Sequence, residues 1–323
     1  MKRITVAHII TRFDKGGSAE NTFLTAQNLD KDRYDVMLVA GSSPPANSPV
    51  HSRDPETAAI EANIADLHTK GVRLVLLAEL VRDLSPLSDL SAFLSLVRMI
   101  RHEKPQIVHT HTSKAGFLGR WAAWLCRVPI IVHTPHGHVF WGYFGPYRTR
   151  LFIALERWTA HITTRIVVLT EREKADHLRL HIAPDEKFAV IHSGIDLSRF
   201  RPDPARKAEI RSALEIPSES IVVATVGRLT AVKGQDTLIR AIAECLRQGE
   251  KVFLLILGEG ELRSDLEALS AELGIAEAVR FLGWRPDVAS VIDACDIFCL
   301  PSLNEGMGKA IVEAMAMGKP VIA

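Results

Sequence analysis

The chain has 323 residues, 47% of them apolar, with a formal net charge of +1 and four cysteines. At roughly 150 residues per domain this is enough for about two cores, and no run of 18 uncharged apolar residues exists to cross a bilayer. A disulfide scaffold, a nucleic-acid-binding protein and an exported protein with a cleavable leader are therefore not expected, and a cytoplasmic chain is the default.

The first predicted strand, ITVAHIIT, runs into the loop RFDKGG and then a helix beginning near Ser18. Gly16 and Gly17 permit close approaches that a Cβ would block, and Ser18 is placed to cap a helix whose amide end attracts anions. A plain strand-to-helix turn is the competing reading. The G-x-G-x-x-G spacing of a dinucleotide site is absent. Short Val- and Ile-rich runs then recur with helix-like stretches between them: YDVMLVA, VRLVLL, QIVHTH, PIIVHT, RIVVLT and FAVIHS. That alternation predicts a parallel sheet covered on both faces.

All 13 histidines lie in this first part, which holds 25 Lys+Arg against 20 Asp+Glu up to residue 200. The strand ending HTH places His109 and His111 on one face. With no third ligand at a recognisable spacing, they and their neighbours His133 and His138 are expected to make hydrogen bonds rather than hold a metal. The segment HVFWGYFGPYRTRLF packs six aromatics and two arginines into 15 residues. It reads either as a lid or membrane-interface loop or as the start of a helix packed into the core.

SGIDLSRFRPDPA interrupts the pattern with Gly194, Pro202 and Pro204. Two domains are expected, 1–195 and 205–323, joined by a linker at 196–204. The strand-helix pattern restarts with SIVVATVG, VFLLILG, AVRFLG, DIFCLPS and KPVIA, in a part that holds 14 Lys+Arg against 18 Asp+Glu. Cys295 and Cys299, in ACDIFCL, suit a buried strand. After IVVATVG come Arg228 and Lys233-Gly234, two cations ahead of a helix from about Gln235, a placement that suits a pyrophosphate. The loop lacks the G-x-x-x-x-G-K-[ST] of a nucleotide triphosphatase.

The last motif is PSLNEGMGKAIVEAMAMGKPVIA. Gly306 and Gly308 leave backbone amides, with that of Met307 between them, able to face a ligand. Glu305 sits in the turn, and Glu313 follows on a helix from about Lys309 to Met317. Carboxylates accept hydrogen bonds from hydroxyl groups, and sugars and riboses offer vicinal hydroxyls. A facing acid-base pair of the hydrolase kind is the alternative, but one short turn does not readily oppose two carboxylates. The chain ends on what reads as a strand, so truncation at the C-terminus is expected.

These residues carry a resemblance. PSLNEGMGKAIVEAMAMGKPVIA is similar to the Glu-x7-Glu signature of the retaining glycosyltransferases of family four. GR-x4-KG resembles that family's phosphate-binding pair, and SGIDLSRFRP its interdomain segment, with Ser193 in place of the usual Asn. HTHTSKAGFLGR and HTPHGHVFWGYF resemble the amino-terminal domain of members that make bacterial surface polysaccharides. The resemblance implies an α/β fold of the GT-B kind: two Rossmann-like doubly wound domains facing across a cleft, the second incomplete. It implies a nucleotide-diphosphate sugar donor, with Arg228 and Lys233 on the diphosphate and Glu313 on the ribose. Glu305 with the Gly306, Met307 and Gly308 backbone would orient the sugar, Gly16 and Gly17 would approach the phosphate, and His136 would contact the sugar. No cofactor and no metal are expected. The acceptor implied is a glycan or an undecaprenyl-diphosphate-linked sugar, with peripheral contact at the inner face of the plasma membrane. The rival readings are a GT-B nucleotide-sugar epimerase, against which NEGMGKAIVEA argues, and a non-catalytic partner-binding remnant.

Overall fold

The computed structural model describes residues 3–12, 17–41, 64–81, 83, 85–137 and 145–323. The chain forms two compact units, Met1–Gly194 and Ile195–Ala323.

In the first unit, β1 (Ile4–Ile10), β2 (Tyr34–Gly41), β3 (Val72–Leu77), β4 (Ile107–His111), β5 (Ile130–Thr134), β6 (Arg165–Val168) and β7 (Phe188–Val190) form one sheet. Its order among the described residues is β3-β2-β1-β4-β5-β6-β7, with every pairing parallel. Helices α1 (Gly17–Asn28), α2 (Pro86–Glu103), α3 (Ser113–Leu125), α4 (Pro146–Ala160) and α5 (Glu171–Arg179) accompany it. Central strands read as continuous apolar runs because both faces are covered: Val36 to Ala40 of β2 are all buried. Separate clusters pack on the two faces, one around Ala7, Ile9, Met37 and Val39, the other around Ile10, Val36, Leu38 and Ala40. Helix boundaries follow local chemistry. Pro86 opens α2, Lys104 ends it in the left-handed region at φ 48°, and Thr170 caps α5 by accepting from the Glu173 amide at 3.1 Å.

In the second unit, β8 (Ile221–Val226), β9 (Val252–Leu257), β10 (Val279–Gly283), β11 (Ile297–Cys299) and β12 (Val321–Ile322) form a parallel sheet in the order β10-β9-β8-β11-β12. Its helices are α6 (Pro204–Ala213), α7 (Gln235–Arg247), α8 (Arg263–Glu272), α9 (Val288–Ala294) and α10 (Lys309–Ala316). Residues 196–204 belong to this unit: Phe200 is buried in its core, and Asp203 caps α6 through the Ala205 and Arg206 amides at 3.1 and 3.3 Å. Asp296 accepts from Arg211 at 2.7 Å and from the Val222 amide at 2.9 Å, tying α6 to the start of the sheet. Cys295 and Cys299 are buried free thiols, and burial pushes the Cys295 thiol up to about 11.

Both sheets are doubly wound. In each the strand order turns back once, between β1 and β4 in the first and between β8 and β11 in the second. Loops leaving neighbouring strands in opposite directions there open a crevice at the carboxyl ends, which is where such sheets bind ligands.

Candidate active site

The second unit builds its site from the two loops that leave β8 and β11. After β8 the chain passes Gly227 and the exposed Arg228, makes a short 3-10 turn at Ala231–Lys233, and enters α7 through Gly234. Gly234 adopts φ 65°, and a Cβ there would collide with the Pro301 carbonyl. Only glycine lets these two loops touch. The contact is reinforced by the Leu303 amide, which donates to the Val232 carbonyl at 2.9 Å.

That stitching brings Lys233 and Glu305 together. The Lys233 ammonium is paired with the Glu305 carboxylate, whose Oε1 also accepts from Ser302 Oγ at 2.7 Å. Gln235, buried at the start of α7, donates from Nε2 to the Arg228 carbonyl at 3.1 Å. Gly306 and Met307 are half-buried in the turn, and Gly308 is buried at φ 65° immediately before α10. Glu313 is half-buried on α10, flanking Ala314 and Met317, which pack into the core. A cation, a carboxylate with a hydroxyl beside it, and the amino end of a 13-residue helix thus meet at one strand reversal. The arrangement can hold phosphate oxygens and sugar hydroxyls together.

In the first unit, Gly17 opens α1 while Gly16 lies outside the described residues. Ser18 sits inside the first turn of α1 and not before it, so it is not the cap that the sequence leads one to expect. His136 follows β5 with φ 58°, a left-handed backbone that is strained for a residue with a side chain. The turn is held by Glu173, whose two carboxylate oxygens accept from the Gly137 amide at 2.9 Å and the Leu169 amide at 2.7 Å. His138 and the aromatic segment to residue 144 lie outside the described residues.

Behind His136 lies a stack of imidazoles on β1 and β4. His111 Nδ1 is 2.9 Å from His136 Nε2, and His111 Nε2 is 3.0 Å from His8 Nδ1. His109 Nε2 bonds Thr134 Oγ1 at 2.8 Å, and on the opposite sheet face His133 Nδ1 bonds Thr110 Oγ1 at 3.0 Å. His8 is the third histidine whose absence weighed against a metal in the sequence; parallel register sets it opposite His109. Among the described residues, His8, His109 and His111 are the group able to hold a metal ion, with ligand atoms within 4.8 Å of one another. Hydrogen bonds already engage both ring nitrogens of His111. Burial first, then mutual repulsion, holds His109 and His111 well below the ordinary histidine range. Burial, with the Lys31 ammonium second, brings His8 down to about 4. The stack is therefore neutral at physiological pH.

Sequence reasoning missed His8, Gln235, Ser302 and Glu173. For His8 a signal existed, since a lone polar residue in the apolar run VAHII needs a partner.

Two Rossmann-like units with this site define the class: the chain has the GT-B fold. Residues 15–199 match the model of the family described as Glycosyltransferase Family 4, and residues 206–323 that described as Glycosyl transferases group 1. The chain is 30% identical over 99% of its length to an Escherichia coli protein, UDP-Gal:alpha-D-GlcNAc-diphosphoundecaprenol alpha-1,3-galactosyltransferase, and covers 79% of that relative. It is 34% identical over 73% of its length to the D-inositol 3-phosphate glycosyltransferase of Saccharomonospora viridis, covering 59% of it. In fold it resembles Anabaena HepE in complex with UDP and glucose, with a TM-score of 0.79 at 21% identity, covering 99% of this chain and 80% of that one. It likewise resembles WaaG, a glycosyltransferase involved in lipopolysaccharide biosynthesis, with a TM-score of 0.71 at 20% identity, covering 98% and 80%. The chain belongs to glycosyltransferase family 4.

Proposed function

We propose that the protein transfers a hexose from a uridine-diphosphate sugar to a lipid-diphosphate-linked glycan, with retention at the anomeric carbon, in cell-surface polysaccharide synthesis. One observation carries the reading: Lys233 and Glu305 meet where β8 and β11 part, next to the Arg228 loop. The donor and acceptor named for the Escherichia coli relative, and the UDP named with HepE, support the choice of substrates.

In this reading Arg228 and Lys233 hold the diphosphate and stabilise it as it departs, so positive side chains do the work that a divalent cation could do. Glu313 accepts from the ribose hydroxyls. Glu305 and the Gly306–Gly308 backbone orient the sugar, while for His136, Gly16 and Gly17 of the first unit a donor-side role rests on the resemblance to the family. The anomeric C–O bond to the diphosphate breaks while the acceptor oxygen bonds to the same face of that carbon. The acceptor's proton passes to a departing phosphate oxygen. Incubation with a panel of UDP- and GDP-hexoses and undecaprenyl-diphosphate-GlcNAc is expected to release UDP and form a lipid-linked disaccharide of retained configuration. A rearranged nucleotide sugar formed without acceptor, or no turnover with any donor, overturns the assignment.

A lipid-linked acceptor calls for contact with a bilayer, and the first unit carries a face suited to it. On α4, Tyr147, Leu151, Ala154 and Trp158 recur at helical spacing along an exposed stripe, with Tyr147 83% and Trp158 54% exposed. Trp158 lies 4.2 Å, centroid to centroid, from Trp121 of α3, and Trp124 on that helix is itself exposed. Arg148 and Arg150 are exposed beside the stripe. Interfacial aromatics flanked by cations match an anionic lipid surface. No described helix is long and apolar enough to cross a membrane, so docking would be peripheral. Replacing Trp124 and Trp158 together by serine is expected to weaken sedimentation with phosphatidylglycerol vesicles about tenfold, while activity on a soluble acceptor analogue persists. Unchanged sedimentation rules out this face.

A further inference from the structure

His8 and His111 are not among the residues expected to meet substrate, yet they form an unbroken file to His136. His8 Nδ1 lies 3.0 Å from His111 Nε2, and His111 Nδ1 lies 2.9 Å from His136 Nε2. Both His8 and His111 are buried, at 1% and 2% exposure, on adjacent strands β1 and β4 whose register the sheet fixes. His8 and His111, being neutral, carry one proton each, and each of the two hydrogen bonds needs one donor and one bare nitrogen, so the file has two orderings.

In one ordering His136 donates to His111 and His111 donates to His8, which leaves a proton on His8 Nε2. That atom is buried and has no hydrogen-bond partner. An orphaned buried N–H is rare in folded proteins, and here it would carry its positive end near the Lys31 ammonium that already acts on the ring. In the other ordering His8 Nδ1–H donates to His111 Nε2, and His111 Nδ1–H donates to His136 Nε2. His8 Nε2 is then a bare lone pair, which the same ammonium favours. His136 must in consequence carry its proton on Nδ1.

We propose that His8 and His111 are positioning residues that fix His136 as the Nδ1-protonated tautomer, so that it serves the transferred sugar as a hydrogen-bond donor from Nδ1. The strained turn at His136 and the Glu173 carboxylate beneath it hold the ring in line with the file. This rests on the transferase reading only for what His136 serves; the tautomer itself is a property of the free protein.

The test separates the two. Long-range proton-nitrogen correlation spectra of protein labelled with 15N-histidine, recorded at pH 7.5 without substrate, are expected to show His136 protonated on Nδ1 and His8 protonated on Nδ1. His8→Phe removes the first donor and is expected to give a mixture of His136 tautomers. It should lower kcat roughly ten- to hundredfold, since a misplaced imidazole proton removes the donor from its acceptor, with KM for the nucleotide sugar little changed. His8→Asn, whose amide nitrogen sits where Nδ1 was, is expected to restore both signals and rate. His136 protonated on Nε2 in the wild type overturns the proposal whatever the enzyme transfers. So does a His136 tautomer that ignores His8→Phe, or a zinc ion bound by His8, His109 and His111 in place of the file.

Discussion

Replacing Lys233 by alanine is expected to lower kcat/KM about a hundred- to a thousandfold, equivalent to roughly 3–4 kcal/mol of transition-state stabilisation. The size of the effect follows from how firmly the cation is placed. It ends a 3-10 turn, precedes a glycine that only a left-handed backbone satisfies, and is fastened to the next loop by the Leu303 to Val232 hydrogen bond. In the proposed reading, a cation on a turn held in that way would stabilise the charge that develops on the departing diphosphate without rearrangement of the backbone. Stability should scarcely change, because the Lys233–Glu305 pair is only partly buried, at 22% and 27% side-chain exposure, and such pairs contribute about 0–1 kcal/mol. A coincident loss of melting temperature would mean that Lys233 serves the fold. Combined with Glu305→Gln, the effects should be non-additive, since the two side chains touch. Kinetics of Lys233→Ala indistinguishable from those of the wild type would remove the phosphate-binding role.

The largest stability effect is expected at Arg120. This guanidinium is wholly buried, bonds both carboxylate oxygens of Glu156 at 2.8 Å, and also reaches the Gly116 carbonyl at 2.8 Å and Thr163 Oγ1 at 3.3 Å. His133 lies 4.0 Å from the same carboxylate, but burial brings it down to about 3, so at neutral pH it is uncharged and Arg120 is the main charge balancing Glu156. Arg120→Leu therefore strands a carboxylate between α3 and α4. Breaking one partner of a buried pair costs about 3–5 kcal/mol, which should appear as a melting temperature lower by roughly 6–20 °C. Adding Glu156→Leu should recover most of the loss, because a matched apolar pair leaves no charge behind.

The pair also has a pH signature. Burial alone would raise the Glu156 carboxyl, but the Arg120 charge and hydrogen bonds outweigh it and bring it down to about 2 from an unfolded value of 4.5. A depressed acid contributes its stability fully above the unfolded value and loses it as pH falls towards the folded one. The gap between wild type and Arg120→Leu should thus narrow by roughly 1 kcal/mol between pH 7 and pH 4 in denaturant titrations. A constant gap would show that Glu156 is not the group left unpaired. Because Arg120 and Glu156 join the two helices that carry Trp121, Trp124 and Trp158, the single variant should also impair vesicle binding, and the double variant should restore it.

Much of this was legible in the sequence for specific reasons. Alternation of Val- and Ile-rich runs with helical stretches names a parallel sheet, because a strand buried on both faces cannot carry a polar face. The turn NEGMG and the pair Arg228 and Lys233 could be read as candidates because each is a local feature: Glu305 stands beside Gly306 and Gly308, and Arg228 and Lys233 fall in one short loop. The Ser18 cap could not, since one residue of helix register decides whether a serine stands before the first turn or within it.

What the sequence determined by itself was composition of elements, the boundary region near Gly194, and the chemistry available at each strand end. Only the tertiary structure decided which strand ends are neighbours. The reversal of strand order sets Lys233 against Glu305, 72 residues later in the chain, and lines up His8 with His111, 103 residues later. Hydrogen bonds reach about 3 Å, so a bond between distant residues depends on sheet order and register, and no spacing along the chain encodes either.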